Sequence, residues 1–138
     1  MKDRINDKIN EIERYLEELY SIAPSKFDDY IRDFMSKAAC ERFVEKIVEA
    51  VTDLGFLIIR KKSFEVPEND LQIFGILSQE HIISKELSKR LQNAKSMRNI
   101  LAHEYGKVND EIVFNSITEE LKKDIDEFLD IIKTKGMV

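Results

Sequence analysis

The sequence is poor in the residues that interrupt or cross-link a chain. Its 138 residues include four glycines, two prolines, one cysteine and no tryptophan. So few turn-forming residues argue against an all-β fold, and a single cysteine excludes an internal disulfide. At 43% hydrophobic residues the chain is too apolar to be disordered. We therefore expect a folded protein in a reducing, cytoplasmic compartment, with Cys40 buried and inert.

Long apolar runs and targeting signals are also missing. The run Gly55–Ile59 is far shorter than the roughly 20 residues that a membrane-spanning helix needs. Met1–Arg4 leads directly into a charged helical pattern rather than a signal peptide. No cluster of His, Cys and Asp has metal-ligand spacing, and no glycine-rich loop is present to hold phosphate. We expect no membrane association, no bound metal and no cofactor.

Helical periodicity accounts for most of the chain. Ile5, Ile9, Ile12, Leu16 and Leu19 predict a first amphipathic helix that ends before Pro24. Three further helices are predicted: from about Lys26 to about Lys62, from Asn69 or Asp70 through Leu77, and from Ser84 to about Tyr105. A last helix is predicted to start at Asn109 or Asp110, with the apolar positions Ile112, Ile117, Leu121, Ile125, Phe128 and Ile132. Gly55 marks a bend or a close helix contact. The prediction is one all-α domain over residues 1–138, an up-and-down bundle of four long helices plus a short one.

The octapeptide Arg98–Tyr105, near the end of the fourth helix, combines three chemically active side chains. Arginine is the preferred clamp for phosphate, and histidine exchanges protons near neutrality. On an ideal helix Arg98 and His103 lie about 140° apart, Asn99 shares the face of His103, and Tyr105 lies within about 20° of Arg98 if the helix persists. The residues indicate phosphate chemistry without a metal. A two-fold dimer would bring arginine and histidine from both chains to one cleft.

The fourth helix has two contrasting faces. Leu87, Leu91, Ala94, Met97 and Leu101 form the predicted core face, and Lys85, Ser88, Lys89, Gln92, Lys95 and Ser96 point away from it. The net charge of −5 argues against a protein that coats nucleic acid generally. Because basic residues dominate between Ser84 and Lys107, we expect a localised anion site there.

These residues resemble the HEPN superfamily, specifically the HepT-like toxins that pair with minimal nucleotidyltransferases. The family motif is an arginine, four residues, a histidine, any residue and a tyrosine, which Arg98, His103 and Tyr105 match. Asn99 occupies the polar position that commonly follows the arginine. The similarity extends over Leu71–Leu77, Ser84–Lys95 and Val108–Val113, whereas the first two helices match only in pattern and length.

The resemblance implies a HEPN-like homodimeric helical bundle that acts as a metal-independent endoribonuclease toxin. Arg98 would hold the scissile phosphate, and His103 would move a proton. Asn99 would orient His103 or a phosphate oxygen. The RNA-contact candidates are Lys85, Lys89 and Lys95. The cognate nucleotidyltransferase antitoxin would silence the toxin by adding AMP to Tyr105, which would place negative charge against Arg98.

Other interpretations stay open from the residues alone. Arg98 and His103 also suit an interfacial arginine and a solvated histidine that the helix dipole favours. Tyr105 also suits an aromatic that closes the rim of the core, and the three lysines suit an ordinary solvated face. The second functional hypothesis is a non-catalytic nucleotide- or RNA-binding module that partners a nucleotidyltransferase. The third is a helical dimer used only for assembly.

Overall fold

Residues 2–137, which the computed structural model describes, form α-helices joined by short turns, so Met1 and Val138 of the predicted 1–138 domain lie outside it. The helices are α1 (Lys2–Ile22), α2 (Phe27–Arg32), α3 (Phe34–Lys62), α4 (Ile73–Gln79), α5 (Lys85–His103), α6 (Asp110–Asn115) and α7 (Lys122–Thr134). Asp70–Gln72 and Tyr105–Lys107 are 3-10 turns, and the π-helical segment Ser116–Leu121 joins α6 to α7. The all-α prediction is confirmed. None of the helices in this range is both long and apolar enough to cross a membrane.

The central element is α3, against which α1, α2, α4 and α5 pack, while α7 packs on α5. The predicted stripe of α1 is buried against it at every position: Ile5, Ile9, Ile12, Leu16 and Leu19. On α3, Val44, Ile47, Val51, Leu54 and Ile58 are buried as their spacing predicts. The buried apolar side chains form one continuous cluster, so α3 supplies the surface on which the candidate site is built.

The predicted second helix from Lys26 to Lys62 is two helices, because Asp33 breaks it. The backbone of Asp33 leaves the helical region (φ −98°, ψ 89°), and the carboxylate of Asp33 accepts hydrogen bonds from the backbone N–H groups of Met35 and Ser36, both at 3.2 Å. Asp33 therefore caps α3. Helical spacing predicts Ile31, Phe34 and Ala38 on the apolar stripe of this long helix. The break changes the register, so Ile31 and Phe34 are 41% and 76% exposed, and Ala38 is exposed as well.

The other helices begin at or near the residues that their capping residues predict. The Ser84 hydroxyl accepts a hydrogen bond from Leu87 N–H at 3.0 Å, and the Asn109 side chain accepts one from Ile112 N–H at 3.1 Å, so both predicted caps are confirmed. The short helix begins with the turn at Asp70 and ends at Gln79 rather than Leu77. Ile112 is 59% exposed against prediction, because the following residues, Val113 and Phe114, face the core instead.

Cys40 is buried in α3, as predicted. Burial, with a smaller contribution from the charge of Glu41, raises the pKa of its thiol to about 11. A thiol with such a pKa stays protonated at neutral pH and is a poor nucleophile.

Gly55 lies where α3 meets α4. A Cβ at this position would stand 2.6 Å from Cγ2 of Ile73 and 3.5 Å from Cε1 of Phe74. The helix continues through Gly55 to Lys62, so the glycine serves a close helix contact and does not end the helix. Only a residue without a Cβ lets the two backbones approach this closely.

We expect Gly55→Ala to lower the free energy of unfolding by about 1–3 kcal/mol, because the added methyl overpacks the contact with Ile73. Gly75→Ala in α4 is the matched control, since its Cβ would meet only Nε2 of Gln92, at 4.0 Å. Alanine there should stabilise by up to about 1 kcal/mol through helix propensity. Urea unfolding of both variants measures the difference. A Gly55→Ala protein as stable as Gly75→Ala would show that α4 does not pack this closely on α3.

Candidate functional site

Arg98 lies on α5 in a groove that α1 and α3 complete. Its Nη2 is 3.2 Å from Oε2 of Glu49 on α3, and its Nη1 donates a hydrogen bond to Oδ1 of Asn99 at 3.3 Å. The Nε atom is buried and has no hydrogen-bond acceptor among the described residues. A buried N–H without an acceptor is costly, and a guanidinium N–H bonds strongly to phosphate oxygens. Arg98 is thus held in place by Glu49 and Asn99.

The groove around Arg98 has mixed charge. Arg42 and Lys46 line it, and Lys46 Nζ lies 4.5 Å from the centroid of the Tyr15 ring. The acidic side chains in the same lining are Glu11, Glu45, Glu49 and Asp53. Because these carboxylates outnumber the basic groups, the groove of one chain does not attract a polyanion by charge alone.

The structure buries Lys95, which the helical pattern placed on a solvated face. Its side chain is 4% exposed, and its Nζ lies 3.2 Å from Oε2 of Glu49 and 3.5 Å from Oδ2 of Asp70. The turn that precedes α4 carries Asp70 over this part of α5. Paired on both sides, the Lys95 ammonium has no surface to offer an RNA phosphate in this chain. Glu49 instead uses Lys95 and Arg98 together, which fixes the guanidinium of Arg98.

His103 is the last residue of α5, and its side chain is exposed. The helix stops at Glu104, whose backbone (φ −135°, ψ 46°) is no longer helical. Because α5 contains both residues, Arg98 and His103 are about 140° apart around its axis and about 7.5 Å apart along it. Asn99 bonds to Arg98 through its carbonyl oxygen. One chain therefore directs the arginine and the histidine to different sides of α5.

Tyr105 lies outside the helix, so the expected alignment with Arg98 does not occur. It begins the 3-10 turn after α5, is 54% exposed, and its hydroxyl donates a hydrogen bond to Oε1 of Glu41 at 2.8 Å. Arg98 instead pairs with Glu49, which lies about two helical turns, or about 12 Å, beyond Glu41 along α3. The two side chains therefore contact different turns of α3, and the expectation that AMP on Tyr105 lies against Arg98 stays a prediction.

Lys37 and Glu41, which the sequence did not indicate as site residues, contact the Tyr105 hydroxyl, and Asp110 pairs with Lys37. Lys37 donates to Tyr105 Oη at 3.3 Å, and its Nζ lies 3.3 Å from Glu41 and 3.1 Å from Asp110. Burial opposes the charge on Lys37, but hydrogen bonds from its ammonium to Asp110 and Tyr105 and the charge of Glu41 outweigh it and raise its pKa. The only sequence signal was the spacing of Lys37 and Glu41 by four residues, which fits a surface ion pair equally well.

The remaining lysine candidates, Lys85 and Lys89, are exposed at the start of α5. They lie about 27 and 21 Å along the helix axis from His103, so neither reaches the nucleotide that His103 would contact. Among the described residues, no group of three or more His, Cys, Asp or Glu side chains is placed to hold a metal ion.

The family model described as "Ribonuclease HepT-like" matches residues 5–132 of this chain. The chain is similar to the mRNA nuclease HepT of Shewanella oneidensis, with 27% identity over 135 residues, 98% of this chain and 100% of the relative. It is also similar to the tRNA nuclease HepT of Aphanizomenon flos-aquae, with 28% identity over 119 residues, 86% of this chain and 81% of the relative. The tri-AMPylated HEPN toxin of Shewanella oneidensis, solved in complex with the MNT antitoxin, superposes with a TM-score of 0.90 at 27% identity and covers 97% of this chain and 99% of that chain.

The hydrogen bond to Glu41 raises the pKa of Tyr105, with burial as a smaller cause, whereas Lys37 lowers it. We therefore expect Glu41→Gln to lower the Tyr105 pKa and Lys37→Met to raise it. Titration of protein with ¹³C-labelled tyrosine, monitored by NMR, measures both, and Tyr105→Phe assigns the signal. Tyr20 is the internal control, because burial raises its pKa to about 12 at a separate site. Shifts of the same sign in both variants would contradict this account of the cluster.

Proposed function

This chain belongs to the HepT-like ribonuclease family, and we propose that it is a metal-independent endoribonuclease toxin of a toxin–antitoxin pair. The observation that carries the proposal is the guanidinium of Arg98, fixed by Glu49 and Asn99, five residues before an exposed histidine. The nuclease names of the two curated relatives support RNA as the substrate. The toxin–antitoxin role draws its support from the solved relative, a HEPN toxin bound to its antitoxin.

Cleavage proceeds by attack of the RNA 2′-hydroxyl on the adjacent phosphorus. The hydroxyl loses a proton, the bond to the 5′-oxygen breaks, and that oxygen gains a proton, leaving a 2′,3′-cyclic phosphate and a 5′-hydroxyl. Arg98 stabilises the charge that develops on the phosphate, and His103 transfers one of the two protons. Asn99 supports Arg98 through its carbonyl oxygen. The chemistry on these residues needs no divalent ion.

The reaction takes place in a cleft between two copies of the chain. Within one copy the arginine and the histidine are about 140° apart around α5 and cannot address one phosphate easily. An isologous dimer in which the two copies of α5 meet would place Arg98 of one chain opposite His103 of the other. Because the dimer has a two-fold axis, it contains two equivalent sites.

The partner is a minimal nucleotidyltransferase antitoxin that adds AMP to Tyr105. Support comes from the similar HEPN toxin, which is tri-AMPylated in its complex with the MNT antitoxin. Tyr105 is 54% exposed and lies two residues after His103, so a nucleotide on its hydroxyl would cover the approach to the histidine. A phosphodiester there also adds negative charge, which repels an RNA backbone.

A non-catalytic module that binds nucleotide or RNA and partners a nucleotidyltransferase is the second candidate. The observation that favours it is the ion pair between Arg98 and Glu49 at 3.2 Å, because the carboxylate competes with any phosphate for the guanidinium. The two candidates differ in one measurable respect. A module of this kind would bind RNA without cutting it.

We expect the purified protein to cut RNA equally fast with and without excess chelator. Arg98→Ala and His103→Ala should each slow cleavage by about 10²–10³-fold, since each removes a group that acts in the transition state. Arg14→Gln and His81→Gln are matched controls, because both side chains are exposed and neither lines the groove around Arg98. Rates are measured by gel electrophoresis of a labelled RNA. Cutting at the wild-type rate by both alanine variants would rule out the assignment.

A mixture of the two inactive variants tests the shared cleft. In a dimer of Arg98→Ala with His103→Ala, one of the two sites receives a native arginine from one chain and a native histidine from the other. Random exchange makes half of all dimers mixed, so cleavage should recover to about a quarter of the wild-type rate. Refolding the variants together and then assaying RNA cleavage measures this. If the site were built within one chain, the mixture would stay inactive.

A further inference from the structure

The carboxylate of Glu41 lies at the Tyr105 hydroxyl, yet RNA cleavage makes no use of it. Glu41 is 4% exposed, and its Oε1 accepts the hydrogen bond from Tyr105 Oη at 2.8 Å. Its Oε2 forms an ion pair with Lys37, whose Nζ lies 3.3 Å away. Lys37 compensates the charge of this buried carboxylate. Glu41 is therefore held with its other oxygen directed at the Tyr105 hydroxyl.

The cluster is open on one side and closed on the other. Tyr105 is 54% exposed, so a large substrate can approach this residue from solvent. The hydroxyl proton, in contrast, points inward to the buried Glu41. A reagent and a proton acceptor can thus contact the same oxygen from opposite directions, as nucleophilic attack by a hydroxyl requires.

We propose that Glu41 is the general base for transfer of a nucleotide to Tyr105. This inference rests on the proposed function, in which a partner nucleotidyltransferase supplies a nucleoside triphosphate. The Tyr105 oxygen attacks the α-phosphorus, and the new O–P bond forms as the bond to the β-phosphate oxygen breaks. Pyrophosphate leaves with the electron pair of that bond, and the phenolic proton passes to Glu41. The product is a phosphodiester on Tyr105, and Glu41 then returns its proton to solvent.

The other charged groups of the cluster do not suit this role. Lys37 is a donor at 3.3 Å from the hydroxyl, with its charge stabilised by Asp110 and Glu41, so it cannot accept the proton. Asp110 bonds to Lys37. The hydrogen bond to Glu41 also keeps the phenol protonated at rest by raising its pKa, so the proton has to leave during the attack.

Lys37 is the positioning residue of this step. Its Nζ lies 5.6 Å from the centroid of the Tyr105 ring and contacts both the hydroxyl and Glu41. The ammonium therefore holds acceptor and nucleophile in one arrangement. As the O–P bond forms, the same ammonium lies beside the new negative phosphodiester.

The test compares AMP transfer with RNA cleavage in the same proteins. The full chain is mixed with the nucleotidyltransferase of its own genome and labelled ATP, and incorporation at Tyr105 is followed by intact mass and peptide mapping. We expect Glu41→Gln to slow AMP transfer on the order of 10²-fold or more, while the rate of RNA cleavage stays within about threefold of wild type. The matched control is Glu18→Gln on α1, whose carboxylate pairs with Arg14 at 3.9 Å.

A second variant, Glu41→Ala, distinguishes a general base from a residue that only stabilises the fold. Glu41→Ala should also transfer AMP slowly, and added formate should restore a measurable part of the rate, because a small carboxylate can occupy the vacated space. A residue that only held the fold would give no rescue by formate. Binding of the transferase, measured by titration calorimetry, should be unchanged in both variants.

The outcomes are distinguishable. If wild type accepts AMP and Glu41→Gln accepts it at the same rate, the inference fails and the proposed function stands. Slow transfer by Glu41→Ala without rescue by formate also overturns it. If wild type neither cuts RNA nor accepts AMP, the proposed function fails and this inference fails with it.

Discussion

Two carboxylates on the central helix α3, Glu41 and Glu49, hold the candidate site to the core. Glu49 pairs with Arg98 and Lys95 of α5, and Glu41 accepts the hydrogen bond from Tyr105 in the turn that follows α5. Both ends of the motif are thus fixed against one rigid helix, although the motif itself lies at a helix terminus, where a chain frays easily. Removing either carboxylate would leave a basic group or a hydroxyl without its partner on α3. These partners are distant in the sequence, since Glu49 lies 49 positions before Arg98 and Glu41 lies 64 positions before Tyr105.

This dependence explains what could be predicted from the sequence. Features that depend on neighbouring residues could be predicted, because the stripe of α1 and the caps at Ser84 and Asn109 need only their own segment. Interactions between segments that are distant in the sequence could not be predicted. Lys95 has the spacing of a solvated residue and is buried because Asp70 reaches it from another element. Tyr105 has the spacing to continue α5 and leaves it, and Glu41 holds its hydroxyl on α3.

Asp33 shows the same limit in the backbone. Aspartate occurs both inside helices and at their starts. The presence of Asp33 alone therefore does not predict that one helix ends and another begins within a continuous charged and apolar pattern. The packing of α2 decides where the boundary falls. Tyr30 of this helix is fully buried, and the centroid of its ring lies 5.2 Å from that of Phe114. That contact turns α2 toward α6. The same change of direction exposes Phe34 beside the start of α3, and it brings Lys37 close to Asp110.

The pairing of basic groups within the chain shapes how an acidic protein could handle RNA. Arg98, Lys95 and Lys37 each have a carboxylate partner already, so the net charge of −5 is not offset by a free basic surface at the motif. Long-range attraction for RNA is therefore weak, and general binding to nucleic acid is suppressed. In the reaction that we propose, a phosphate in the groove would meet a guanidinium that is already oriented and partly desolvated, so little reorganisation would remain at the moment of reaction. Selection of a substrate would then depend on the shape of the proposed cleft and on unpaired bases that can enter it, which is how proteins read single-stranded RNA.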